Sequence, residues 1–310
     1  MSEELLINVA PPETRVALIE NGVAQEIFIE RSTRRGLVGN IYNGRVCRVL
    51  PGMQAAFVDI GLDRAAFLHA SDITGGDGDP HREQIQELVR EGDMLVVQVV
   101  KDPLGSKGAR LTTSLSIPSR YLVFMPGVRN IGVSQKIEDE QERTRLRAVL
   151  SSFVVETGSN GGFIARTAAE AAGEEALRGD MGFLARLWEA IRERSHQATE
   201  VSLLHEDLPL ALRALRDLVG SEVERIRIDS RGTYQKAQEF VQALIPDVLT
   251  RLEHYTGERP LFDLYQVEDE IRKALERKVQ LKSGGHLVID QTEAMTTIDI
   301  NTGALSLIHI

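Results

Sequence analysis

Between residues 37 and 118 the sequence offers five short apolar runs: NIYNGRVCRVL, QAAFVDIG, RAAFLHA, MLVVQVV and ARLTTSLSI. Each is cut from the next by residues that turn a chain: Pro51-Gly52, Gly61-Leu62-Asp63, the polar insert TGGDGDPHREQ, and DPLGSKG. Five short strands with glycine-marked turns fit a small closed barrel, with the OB-fold as the economical solution. The polar insert is expected to be a surface loop.

The flanks have a different character. Residues 5–30 alternate in short apolar runs separated by Pro-Pro and by Asn21-Gly22, a strong hairpin signal. A basic joint, RSTRRG, leads into the barrel. After YLVFMPG, a helical face is expected from Leu146, Val149, Leu150 and Phe153, then a strand in GGFIART. A second helix is expected from Leu184, Leu187, Trp188 and Ile191. Residues 206–281 read as mainly helical around one strand, VERIRIDS. A last helix is expected over DLYQVEDEIRKALERKVQ, with Val267, Ile271, Leu275 and Val279 along one stripe and Ser283-Gly284-Gly285 as its stop. A β segment follows from His286. The fold class is therefore α+β and multidomain, as a length of 310 residues suggests.

Composition narrows the functional classes. The N-terminus lacks the basic region of a signal peptide, and no run approaches the ~18 apolar residues of a membrane span, so a cytoplasmic protein is expected. The single cysteine, Cys47, lies in the apolar run RVCRVL and reads as a buried, inert thiol; one cysteine excludes an internal disulfide. A net charge of −10 argues against a generic nucleic-acid coat, though not against a nucleic-acid enzyme.

Three groups of residues carry chemistry. Phe57 and Phe67 lie on consecutive barrel strands, where an OB-fold presents platforms for unpaired bases; barrel core is the alternative. Lys107, in GSKGAR, is placed to meet a phosphate. Residues 36–118 hold eight Lys and Arg against ten Asp and Glu, so no basic stripe decides the matter. Near the end, in TTIDIN, alternation puts Thr297, Asp299 and Asn301 on one strand face and Ile298 and Ile300 toward a core. Such a face is either a solvated rim or part of a metal site.

Taken in order, VVKDPLGSKGARLTT, SRYLVFMPG, GVSQKIE, GGFIARTAAE, RIRIDSR, LEHYTG, FDLYQVEDEI and SGGHLVIDQTEAMTTIDINTG resemble the ribonuclease E/G family, closest to its ribonuclease G branch. The resemblance runs to about Gly303. It implies an endoribonuclease that cleaves single-stranded RNA with a preference for a 5′-monophosphate, acting in rRNA maturation and mRNA turnover. It also implies a division of the chain. Residues 1–36 and 216–282 would form a ribonuclease-H-like subdomain, 37–118 an RNA-binding OB-fold barrel, 119–215 a 5′-sensor region, and 283–303 the start of a deoxyribonuclease-I-like catalytic subdomain.

By the same resemblance Phe57, Phe67 and Lys107 contact RNA. Arg166 and Thr167 bind the 5′-phosphate, with Lys136 on the other side, although the ribonuclease E branch has two arginines where this chain has Gln135 and Lys136. Asp299 is a Mg²⁺ ligand and Asn301 a catalytic amide. The implied partners are single-stranded RNA and rRNA precursors, with homo-oligomers in the full-length family. The second metal-binding aspartate and the zinc-linking cysteine pair of the family are missing, so a C-terminally truncated chain is expected, with a catalytically inactive RNA- and 5′-end-binding fragment as the alternative function. Residues 304–310 read as a foreign tail: LSLIHI is the translation of CTGTCTCTTATACACATC, a transposon adapter used in library preparation.

Overall fold

The structure is a computed structural model that describes residues 3–33, 35–73, 84–105, 107–220 and 222–302. Most of the polar insert at 74–84 and all of the tail at 304–310 lie outside them.

The chain opens with three antiparallel strands, β1 (Glu3–Ala10), β2 (Glu13–Glu20) and β3 (Val23–Arg31). Asn21 and Gly22 both take positive φ, +49° and +81°, as a two-residue turn of this hairpin type demands.

The barrel follows: β4 (Ile41–Leu50), β5 (Ala55–Asp59), β6 (Ala66–His69), the one-turn helix α1 (Ile85–Leu88), β7 (Met94–Lys101) and β8 (Arg110–Thr112). The order β4-β5-β6-β8-β7 closes through a β4–β7 pairing, and β6 and β8 run parallel. This is the expected five-strand barrel. Its interior is filled by Tyr42, Val46, Val58, Leu68, Val97 and Leu111, among others. The fifth run does not stay whole. After Thr112 the chain leaves the barrel, and β9 (Ile117–Pro118) joins another sheet.

That sheet adds β10 (Leu122–Pro126) and β11 (Ile131–Val133). It continues through helix α2 (Glu140–Thr157), strand β12 (Gly161–Ala165) and helix α3 (Glu174–Gln197). Both helical stripes pack as expected: Leu146, Val149, Leu150, Leu184 and Ile191 are buried, with Phe153, Leu187 and Trp188 against them. Strand β13 (Ser202–His205) then returns to pair with β4 of the barrel, a connection that the sequence pattern did not announce.

Helix α4 (Leu210–Asp217) leads to β14 (Val223–Ile228), helix α5 (Arg231–Leu244) and β15 (Leu252–His254). Strand β14 pairs in parallel with β1, and β15 with β14, giving the order β15-β14-β1-β2-β3. One face of this sheet is covered by α4 and α5, and the other by residues around Leu261, Phe262 and Val267.

The expected long helix breaks into α6 (Leu261–Leu264) and α7 (Val267–Ala274). Leu275 is 82% exposed rather than part of a buried stripe. Val279 lies in a strand, β16 (Lys278–Gln280), which pairs with β17 (His286–Gln291). Ser283-Gly284-Gly285 is therefore a hairpin turn, with Gly284 at φ +84°, and not a helix stop. The cross-strand ladder satisfies backbone groups that a longer helix would have used.

Strand β18 (Thr296–Asn301) completes this sheet. Its isoleucines contradict the expected core: Ile298 is 58% and Ile300 70% exposed. Alternation sets the two faces apart as expected, but among the described residues nothing covers the apolar one. Cys47 is likewise exposed, not buried. A register shift between Val46 and Arg48 leaves it opposite no partner residue, and it turns outward.

Candidate RNA-binding and phosphate-binding sites

Phe57 and Phe67 are direct cross-strand partners on β5 and β6. Their rings meet edge to face at 6.1 Å, and His69 continues the row 6.4 Å from Phe67. Both phenylalanines are half-buried and neither belongs to the barrel core cluster. Arg48 is the register partner of Phe57 and Arg110 that of Phe67. Arg110 is held by Asp72 at 2.8 Å. Lys107 is exposed in a tight turn whose backbone bonds pair it with Leu104. The Phe67 N–H donates to the carbonyl of Ala109 at 2.7 Å, which keeps this turn beside the aromatic row.

Arg166 and Thr167 follow the end of β12, and Ser134 to Lys136 follow the end of β11, its parallel neighbour. Val133 is in register with Ala165, and the Ser134 N–H donates to the Ala165 carbonyl at 2.8 Å. Both segments thus leave the sheet at one end, with Thr167 and Lys136 exposed. Arg166 is anchored more firmly than its sequence context suggests. Its Nη1 donates to the Ser119 carbonyl at 2.7 Å and pairs with Asp217 Oδ1 at 2.7 Å.

Asp217 is in turn gripped by Arg216 through two hydrogen bonds of 3.0 Å, and Arg216 reaches Asp207 at 3.0 Å. Burial alone would raise the Asp217 carboxyl. Hydrogen bonds and charge from Arg216 and Arg166 outweigh it and hold the group below the usual carboxylate range. Ser119 is fixed from the other side, its hydroxyl donating to Asp180 at 2.5 Å. Asp180 is buried, and burial pushes its carboxyl up despite hydrogen bonds from Ser119 and Tyr121. None of Ser119, Asp180 or Asp217 was flagged by the sequence pattern. A buried aspartate and an Arg-Asp dipeptide at a helix end were the only signals.

Asp299 and Asn301 lie on the exposed outer strand of the third site, opposite Val288 and His286. Thr297 faces Asp290, and Asp290 is occupied by a two-bond contact from Arg277 at 2.5 and 2.7 Å. Among the described residues, no group of three His, Cys, Asp or Glu side chains comes together. Asp299 and Asn301 do share a face, as expected, and offer oxygen donors there.

The ribonuclease E/G family model matches residues 116–307, and the S1 RNA-binding-domain model matches 37–113, the closed barrel. The chain belongs to the ribonuclease E/G family. This member of the ribonuclease E/G family is 58% identical to Ribonuclease G of Escherichia coli (strain K12), over 98% of the chain and 63% of that protein. It is 54% identical to Ribonuclease G of Haemophilus influenzae, over 97% of the chain and 62% of that protein. With Ribonuclease E of E. coli the identity is 38%, over 97% of the chain and 29% of the relative. The chain thus spans less than two thirds of the length of these relatives. No helix among the described residues is long and apolar enough to cross a membrane.

Proposed function

We propose that this chain carries the RNA-binding, 5′-end-sensing and first catalytic elements of a Mg²⁺-dependent endoribonuclease. It acts on single-stranded RNA with a preference for a 5′-monophosphate, in rRNA maturation and mRNA turnover, in the cytoplasm and as a homo-oligomer. The observation that carries the reading is the Phe57–Phe67 pair, half-buried side by side on an S1-type barrel and outside its core.

Unpaired bases stack on these rings, a contact that tolerates any sequence because every base has a π-face. Lys107 supplies a charge to the backbone phosphate. The guanidinium of Arg166 and the hydroxyl of Thr167 receive the terminal phosphate, and Lys136 approaches from the neighbouring loop. A planar donor fork suits a phosphate better than a point charge does. A terminus without phosphate leaves these donors unmatched, which is the basis of the preference.

The outer-strand donors fit Mg²⁺, a hard cation that binds one or two carboxylates and keeps several waters. Asp299 would hold it. When bound, the ion lowers the pKa of a water and stabilises charge on the scissile phosphate. Asn301 orients the phosphate. The strand order β15-β14-β1-β2-β3, built from two separated stretches of chain, supports the ribonuclease-H-like reading of 1–36 with 216–282. The hairpin sheet from Lys278 onward supports the start of a deoxyribonuclease-I-like unit, at a boundary five residues before the expected 283.

The test is cleavage by the full-length protein of matched single-stranded RNAs bearing a 5′-monophosphate or a 5′-hydroxyl, with Mg²⁺ or with a chelator. The expected result is faster cleavage of the monophosphate substrate, lost on chelation and in Asp299→Ala. Cleavage that survives Asp299→Ala would overturn the assignment.

A further inference from the structure

We infer that Asp217 is a positioning residue for the 5′-phosphate site: it pins one nitrogen of the Arg166 guanidinium, so that only the opposite edge meets the phosphate. The inference rests on the reading of Arg166 as a phosphate ligand.

The argument is one of donors. A guanidinium carries five N–H groups in a rigid plane: two on each Nη and one on Nε. Arg166 Nη1 donates to the Ser119 carbonyl and forms an ion pair with Asp217 Oδ1, both at 2.7 Å. That nitrogen is engaged within the protein. The three remaining donors sit on Nε and Nη2, whose shared side edge is the fork that grips two oxygens of a phosphate at once. The arginine side chain is 26% exposed, and among the described residues no hydrogen bond occupies Nε or Nη2.

An unpinned arginine would present any edge and would have to lose that freedom on binding. Here the freedom is already removed, and the anchors are themselves fixed. Asp217 cannot swing with Arg166, because Arg216 holds both of its oxygens at 3.0 Å. Arg216 is buried and tied to Asp207, whose backbone N–H donates to the buried Asn40 at 2.9 Å. Ser119, the other anchor, is held by Asp180 and by its own bonds to Leu122.

The pin also crosses the molecule. Arg166 follows β12 of the second sheet, whereas Asp217 ends α4, which packs on the first sheet. The edge presented to RNA is thus set by a neighbouring unit rather than by the loop that carries the arginine.

The experiment measures affinity of the 310-residue chain for single-stranded RNAs that differ only in a 5′-monophosphate or 5′-hydroxyl, by fluorescence anisotropy. Arg166→Ala, Asp217→Asn and Asp217→Glu are compared with the unmodified chain, each checked by thermal melting. Arg166→Ala is expected to abolish the preference for the monophosphate. Asp217→Asn keeps the shape and removes the charge; it is expected to cut the preference about tenfold, with affinity for the hydroxyl RNA unchanged. Asp217→Glu is expected to give an intermediate preference, and it carries the test if the asparagine variant does not fold. A preference that is unchanged or increased in a folded Asp217 variant, while Arg166→Ala loses it, overturns the positioning role alone. A preference that survives Arg166→Ala overturns the phosphate-site reading and this inference with it.

Discussion

Phe57 and Phe67 show how one ring can be read in two ways until its neighbours are known. On strands that alternate in and out, a phenylalanine is either packed or displayed, and sequence spacing allows both. In the structure both are half-buried, outside the barrel core, and pack edge to face on each other. Phe57→Ala is therefore expected to weaken single-stranded RNA binding by about 1–3 kcal/mol, the worth of one stacked base. The loss should be equal for phosphorylated and hydroxyl 5′ ends; titration with both RNAs separates it from an effect at Arg166. His205 makes a different prediction. Burial lowers its imidazole below the ordinary value, with Asp207 opposing and Arg194 adding to the shift. Below about pH 6.5 the unfolded chain takes up a proton that the folded chain refuses. Stability from this group is thus present above that pH and lost as the pH falls toward the folded value. His205→Gln should flatten the decline in melting temperature across that window. That Asp299 and Asn301 share one strand face was legible, because a two-residue period needs only four letters to show itself; a metal-binding role came only with the family resemblance. Asp217 was not legible, since its partners Arg166 and Ser119 are distant in the chain and no local pattern records an ion pair.

Elements with a strong period and a marked end were readable, and short ones were not. The N-terminal hairpin, the barrel strands and the helices α2 and α3 all follow from their patterns. The three-residue strands β15 and β16 carry too few residues for a period, and their partners alone make them strands. The stripe from Val267 to Val279 matched a helix in spacing, yet the chain after Ala274 pairs with β17 instead. In the strand β12 the glycines matter for space. A Cβ on Gly162 would lie 2.1 Å from the Asn130 carbonyl oxygen and 2.4 Å from that of Val128. Gly162→Ala should cost about 1–3 kcal/mol of stability and displace β11, with the Lys136 loop beyond it. Gly179→Ala, in α3 with nothing within 4 Å of the new methyl, should instead stabilise by about 0.5–1 kcal/mol. Denaturant melts of the two variants, moving in opposite directions, test the account.

For the whole molecule, one surface stands out: the face of the last sheet that carries Ile289, Ile298 and Ile300, all exposed. An uncovered apolar face on an outer strand invites self-association. Ile300→Thr should lower the aggregated fraction in light scattering at high concentration and leave RNA affinity untouched. The largest-scale feature is the parallel pairing of β1 with β14, which joins Leu5 to Ile226 and Ile7 to Ile228. It has a consequence in time. On the ribosome the first three strands emerge long before β14, the parallel partner of β1, exists, and at about 5–20 residues per second they wait roughly 10–40 s. The barrel and the helices α2 and α3 are complete by then, so the first sheet to be synthesised is among the last to close. Throughout that interval the sheet edge at β1 is open, and a chaperone or a slow stretch of codons near residue 220 would act on this hairpin rather than on the segment being made.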